Sequence, residues 1–122
     1  MLKFLAKAGL QIKKATFYSL AGLSIAFKEE FAFRLEVLCG LIALPAAFFV
    51  GSTALERIAL IGSFLLIPVI ELLNSAIETA LNRIDVAWNP LTKKAKDIGS
   101  AAVMLAIINA FIIWLILIIP HH

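Results

Sequence analysis

The sequence predicts an all-α integral membrane fold: an N-terminal interfacial amphipathic helix followed by three transmembrane helices, in one membrane domain over residues 1–122. Three observations lead there. The 122 residues are 62% hydrophobic and only 16% charged, whereas a soluble domain averages about half apolar and a quarter charged. Two runs carry no formal charge: the 19 residues "VLCGLIALPAAFFVGSTAL" between Glu36 and Glu56, and the 23 residues "IGSAAVMLAIINAFIIWLILIIP" between Asp97 and His121. A helix rising about 1.5 Å per residue needs roughly 20 residues to cross about 30 Å of hydrocarbon. The third observation is a middle segment, Ile58 to Leu81, of spanning length but broken by Glu71 and Glu78.

Residues 1–29 form the interfacial helix. At about 100° per residue, Leu5, Ile12, Leu20, Leu23 and Phe27 share one flank, and Lys3, Lys7, Lys14 and Lys28 another. Such a helix lies on the inner leaflet with its lysines toward anionic headgroups. No uninterrupted apolar core with a cleavage site follows the first lysines, so no signal peptide is expected. The first span covers about residues 31–51 and holds the single Cys39, read as a packing residue. The second covers about residues 55–82, its Leu-, Ile- and Phe-rich run outweighing about 2.5–3.5 kcal/mol for a central charge. The third covers about residues 96–119, and His121 and His122 beyond it are given no role.

Charge sets the orientation. Residues 1–28 carry five lysines and no acid. The loop "GSTALER" nets zero, and "RIDVAWNPLTKKAKD" nets +2. Because Lys and Arg stay on the cytoplasmic side, the N-terminus and the second loop face the cytoplasm.

The segment "VIELLNSAIETALNRID", Val69 to Asp85, carries the polar residues. Glu71 and Glu78 are seven residues apart, within about 20° of superposition on a helix, and Asn74, Ser75, Asn82 and Asp85 fall near the same line. Ionisable groups in a membrane face a bundle interior or a wet cavity and mark function. Hydrogen-bonded helix association accounts for an amide or a serine, but poorly for two acids on one line without an intramembrane cation. Near the same cytoplasmic depth lie "KEEFAFRLE", with Glu29, Glu30, Arg34 and Glu36, and "KKAKDIGSAAV", with Lys93, Lys94, Lys96 and Asp97. An acid-rich pocket rimmed by lysine suits magnesium and phosphate chemistry, since carboxylates hold Mg²⁺ and lysine neutralises phosphoryl oxygens.

"ELLNSAIE" followed by "AKDIGSAAV", with "EFAFRLE" upstream, resembles the small prokaryotic membrane diacylglycerol kinases, from about Ile12 to Trp114. The resemblance implies a homotrimer in the bacterial inner membrane, with its active site at the cytoplasmic interface. There it would transfer the γ-phosphoryl of MgATP to a membrane lipid, giving phosphatidic acid from diacylglycerol. By the same resemblance Glu71 would be the catalytic base, with Asn74 positioning groups beside it, and Glu30 and Glu78 would bind Mg²⁺. The nucleotide would be held by Gln11, Tyr18, Glu30, Glu78, Ala87, Trp88, Asn89, Lys96 and Asp97. The lipid would meet Ser19, Ala32, Phe33, Arg34, Leu35, Glu36, Phe49, Arg57, Glu71 and Ser100. Three positions depart from the family pattern: Leu35 replaces a usual Gln, Gln11 a frequent Arg, and Asn89 a frequent His.

The chemistry agrees on its own terms. Phosphoryl transfer asks mainly for positioning, charge neutralisation and a base to orient the attacking oxygen. No P-loop or protein-kinase signature occurs, so any ATP site is built from helix side chains. A related branch phosphorylates undecaprenol, though "AFRLE" and "GSAAV" look more like the diacylglycerol branch. A competing class is a small proton-coupled transporter, which needs an acid near mid-membrane but no cytoplasmic cluster of further acids and lysines. No nucleic-acid partner is expected.

Overall fold

The computed structural model describes residues 1–120, so His121 and His122 lie outside it. Four helices account for nearly all of the chain: α1 (Leu2–Glu29), α2 (Phe31–Val50), α3 (Ala54–Ile84) and α4 (Pro90–Ile118). The last three are long and apolar enough to cross a membrane.

α1 and α2 are separated by one extended residue, Glu30 (φ −103°, ψ 108°). Its N–H still bonds the Ala26 carbonyl at 2.8 Å and its carbonyl accepts from the Arg34 N–H at 3.1 Å. The Arg34 guanidinium donates to the Lys28 carbonyl at 3.2 Å, satisfying one of the orphan acceptors at the end of α1. Ala26 is the single buried residue of α1, so the apolar flank of that helix stays open.

α2 turns Phe33, Gly40 and Ala47 inward at a seven-residue spacing. A β-carbon at Gly40 would sit 3.1 Å from the Phe64 ring, so the glycine lets α2 approach α3 closely. Cys39 is exposed on α2, not packed within the chain as the sequence reading had it. It follows Leu38 around the helix, away from the Phe33–Gly40–Ala47 stripe.

α3 begins with a capping box. The Thr53 hydroxyl accepts from the Glu56 N–H, and the Glu56 carboxylate accepts from the Thr53 N–H, both at 3.1 Å. Its inward stripe is Leu60, Ser63, Ile67, Glu71 and Asn74, spaced three or four apart as one helical face requires. Against it α4 places Ala106 and Ala110, which with Ile67 form the core, flanked by Phe64, Ile70 and Trp114. The Trp114 indole donates to the Leu60 carbonyl at 3.1 Å, pinning the far end of the pair.

α4 starts at Pro90, earlier than the span of about residues 96–119 read from hydropathy. Asn89 caps it by accepting from the Leu91 N–H at 2.8 Å, and Pro90 takes the first helical position, where no N–H is needed. The helix therefore runs beyond the apolar run, carrying its lysines past the hydrocarbon.

Candidate active site

The polar line of α3 passes from the interior outward. Glu71, Asn74 and Ser75 are buried, at 8%, 8% and 9% exposure. Glu78, one turn on from Asn74, is half-buried, while Asn82 and Asp85 are exposed. The Asn74 amide donates to a Glu78 carboxylate oxygen at 3.4 Å, orienting that acid along the helix. The Asn74 carboxamide oxygen has no partner and packs directly on Gly99 of α4.

Other acids converge on this line. Glu78 and Glu30 lie within electrostatic reach of Glu71, and Glu71 lies within reach of Glu36. Glu36 has one buried carboxylate oxygen without a hydrogen bond. Glu30 is there because the chain breaks at that residue, turning α1 away from α2. A groove of about 500 Å³ runs between α1 and α3, lined by Ser19, Gly22, Glu29, Glu30, Ser75 and Thr79 among others.

Beyond Glu78 the α3–α4 turn forms a second concavity of about 420 Å³. Asn82, Asp85, Ala87, Trp88, Asn89, Lys96 and Asp97 line it. Asp85 accepts from the Ala87 N–H at 2.9 Å, shaping the turn. Lys96 donates to Asn82 across the helix pair at 3.0 Å, which holds its ammonium beside the acidic line. Asp97 pairs instead with Lys93 at 2.6 Å, an exposed bridge one turn apart.

The expected residues thus separate into groups. Glu71, Asn74, Glu78, Glu30 and Glu36 come together, Ser19 lines the same groove as Glu30, and Ala87, Trp88, Asn89, Lys96 and Asp97 share the adjoining concavity. Tyr18 sits in a separate hollow on α1 with Lys13, Lys14 and Phe17, and Gln11 is exposed on the same helix. Ala32, Leu35 and Ser100 are exposed, but Phe33 is 5% exposed and packs inside the chain. Arg34 is engaged with the α1 terminus and stacks over Phe31. Phe49 and Arg57 are not brought to the acids: Arg57 is 14 residues from Glu71 along α3, about 21 Å. Asn82, expected on the polar line of α3, holds Lys96; Gly99 belongs to the site and was not singled out as functional from the sequence. The sole signal for Gly99 was a glycine second in the charge-free run that begins "IGSAAV".

Fold and site together define a small helical membrane protein in which one buried acid and several half-buried ones gather beside a lysine-rimmed turn at one end of its longest helix. A family model described as prokaryotic diacylglycerol kinase matches residues 17–118. A diacylglycerol kinase of Haemophilus influenzae is 47% identical over 100 residues, 82% of this chain and 85% of that protein. One from Escherichia coli K12 is 44% identical over 111 residues, 91% of each chain. One from Pseudomonas aeruginosa is 43% identical over 112 residues, again 91% of each. The chain belongs to the prokaryotic diacylglycerol kinase family.

Proposed function

We propose that the chain is an ATP-dependent diacylglycerol kinase that works at the cytoplasmic face of the bacterial inner membrane as a homotrimer. The observation that carries the reading is the buried Glu71, set on one helical line with Asn74 and Glu78 and within reach of Glu30. The names of its relatives supply the acceptor, a diacylglycerol.

In the reaction, the Glu71 carboxylate takes the proton of the lipid hydroxyl as the hydroxyl oxygen bonds the γ-phosphorus. The bond from that phosphorus to the β,γ-bridging oxygen breaks, and the electron pair leaves with ADP. A lipid anchored by its chains keeps its hydroxyl at the interface, so a base slightly inside the membrane reaches it. Asn74 positions Glu78 and is itself held by α4, which fixes the base and its neighbour relative to each other. Lys96, held beside the line by Asn82, offsets phosphate charge.

Glu30 and Glu78 supply carboxylate oxygens suited to Mg²⁺. Among the described residues no three metal-ligating side chains converge to hold an ion alone. Mg²⁺ is commonly bound by one or two carboxylates with substrate phosphates and water completing its shell. When bound it neutralises charge on the transferring phosphoryl group.

The α1–α3 groove is open on one side, and most apolar side chains of the three spans are exposed. A further copy seated against the open side of that groove supports the trimer. Offering the purified protein MgATP with diacylglycerol and with undecaprenol in parallel tests the function. Labelled phosphate is expected in phosphatidic acid; none there, or transfer to undecaprenol alone, overturns the reading.

A further inference from the structure

Asn109 is the middle residue of the charge-free run from Ile98 to Pro120. It is exposed on α4, whereas Ala106 and Ala110 beside it are buried against α3. The side-chain hydrogen bonds of α4 among the described residues come from Asn89, Lys93, Lys96 and Trp114, not from Asn109. Ile107 and Phe111 line the groove that α4 shares with Ala43 of α2. Asn109 lies about 160° around the helix from each of them and is exposed, so its amide faces away from the α2 side of its own bundle. Hydrocarbon offers such an amide no partner, and another helix is what satisfies it.

α2 carries the complementary defect. Pro45 lies inside that helix and has no N–H, so the Leu41 carbonyl loses its helical donor. Leu41 and Pro45 are both exposed. They sit about 100–140° around the helix from the Phe33–Gly40–Ala47 stripe packed on α3.

Three contacts place both defects at one depth. Trp114 reaches the Leu60 carbonyl and Asn74 packs on Gly99, so the antiparallel register of α3 and α4 sets Asn109 level with Phe64 and Leu65. Gly40 packs on Phe64, which brings Leu41 to that same level. One chain therefore has an unpaired donor and an unpaired acceptor at mid-membrane on flanks that face away from each other; the Phe64 carbonyl, freed in the same way by Pro68, lies on α3 inside the bundle, where Phe64 packs on the core.

We infer that the Asn109 amide of one copy donates to the Leu41 carbonyl of a second copy, joining α4 of one protomer to α2 of the next. The occupant is another copy because insertion gives every copy the same orientation and depth, so the two groups meet without sliding. A contact between unlike faces is head-to-tail and repeats until the ring closes. The inference rests on the homotrimer proposed above and names residues that join it.

The test is a double-mutant cycle on the full chain in detergent, with oligomer size read by sedimentation equilibrium. Asn109→Leu removes the donor, and Pro45→Ala restores a helical N–H that occupies the Leu41 carbonyl. Each is expected to weaken association roughly fivefold or more, and the double variant to lose no more than one single variant. With Cys39→Ala as background, Leu41→Cys and Asn109→Cys are expected to cross-link between copies under mild oxidation. Wild-type association in both single variants, additive losses, or an intact oligomer without that cross-link overturns the inference and leaves the homotrimer standing. A wild-type chain that stays monomeric overturns both.

Discussion

Asn74 of α3 and Gly99 of α4 are in direct contact: the Asn74 carboxamide oxygen fills the space that a β-carbon at position 99 needs. The same carboxamide donates to Glu78. Helix packing and the orientation of an acid thus depend on one side chain. Gly99→Ala is expected to push Asn74 off Glu78, costing about 1–3 kcal/mol of stability as other overpacked sites do, together with most lipid phosphorylation. Thermal unfolding in detergent and turnover with MgATP check both effects. Combining it with Asn74→Ala should recover the stability but not the turnover.

Glu78 is half-buried and oriented by Asn74, and Glu30 lines the neighbouring α1–α3 groove. As a magnesium ligand, Glu78→Gln raises the Mg²⁺ concentration needed for half-maximal turnover several-fold, because one of two hard donors loses its charge. A Mg²⁺ titration at saturating ATP reads the shift, and an unchanged midpoint removes Glu78 from metal binding.

The far end of α3 is expected to matter for stability alone. Thr53 and Glu56 satisfy two backbone donors reciprocally, and Ser52 adds a third bond to Glu56 at 2.6 Å. Thr53→Ala should cost about 1 kcal/mol and leave the KM values for ATP and lipid unchanged. Denaturation midpoints and steady-state kinetics distinguish the two effects.

The sequence carried much of this architecture because a bilayer imposes simple rules. Two charge-free runs and one acid-broken run marked three spans, and the seven-residue step from Glu71 to Glu78 placed both acids on the line that α3 turns partly inward. Hydropathy marked the apolar span from about residue 96, while the helix itself begins earlier, at the cap formed by Asn89 followed by Pro90. Lone Cys39 was read as packed, but a membrane chain exposes apolar side chains freely, so burial does not follow from hydrophobicity.

What stayed hidden depends on contacts between distant residues. Nothing local says that Gly99 receives Asn74, that Trp114 reaches the Leu60 carbonyl, or that Lys96 takes Asn82. The lipid-contact residues expected by resemblance divide between the two ends of the bundle. Ser19 lies in the groove beside Glu30, while Arg57 stands near the opposite end, its side chain over Phe48.

The central claim is that Glu71 takes the proton of the lipid alcohol. Its most direct test is Glu71→Gln, assayed as labelled γ-phosphate entering the lipid phase beside the wild-type chain, with oligomer size measured on the same samples. Loss of a general base predicts transfer lowered by about 10²–10⁴-fold in a protein that still assembles. Transfer at the wild-type rate contradicts it.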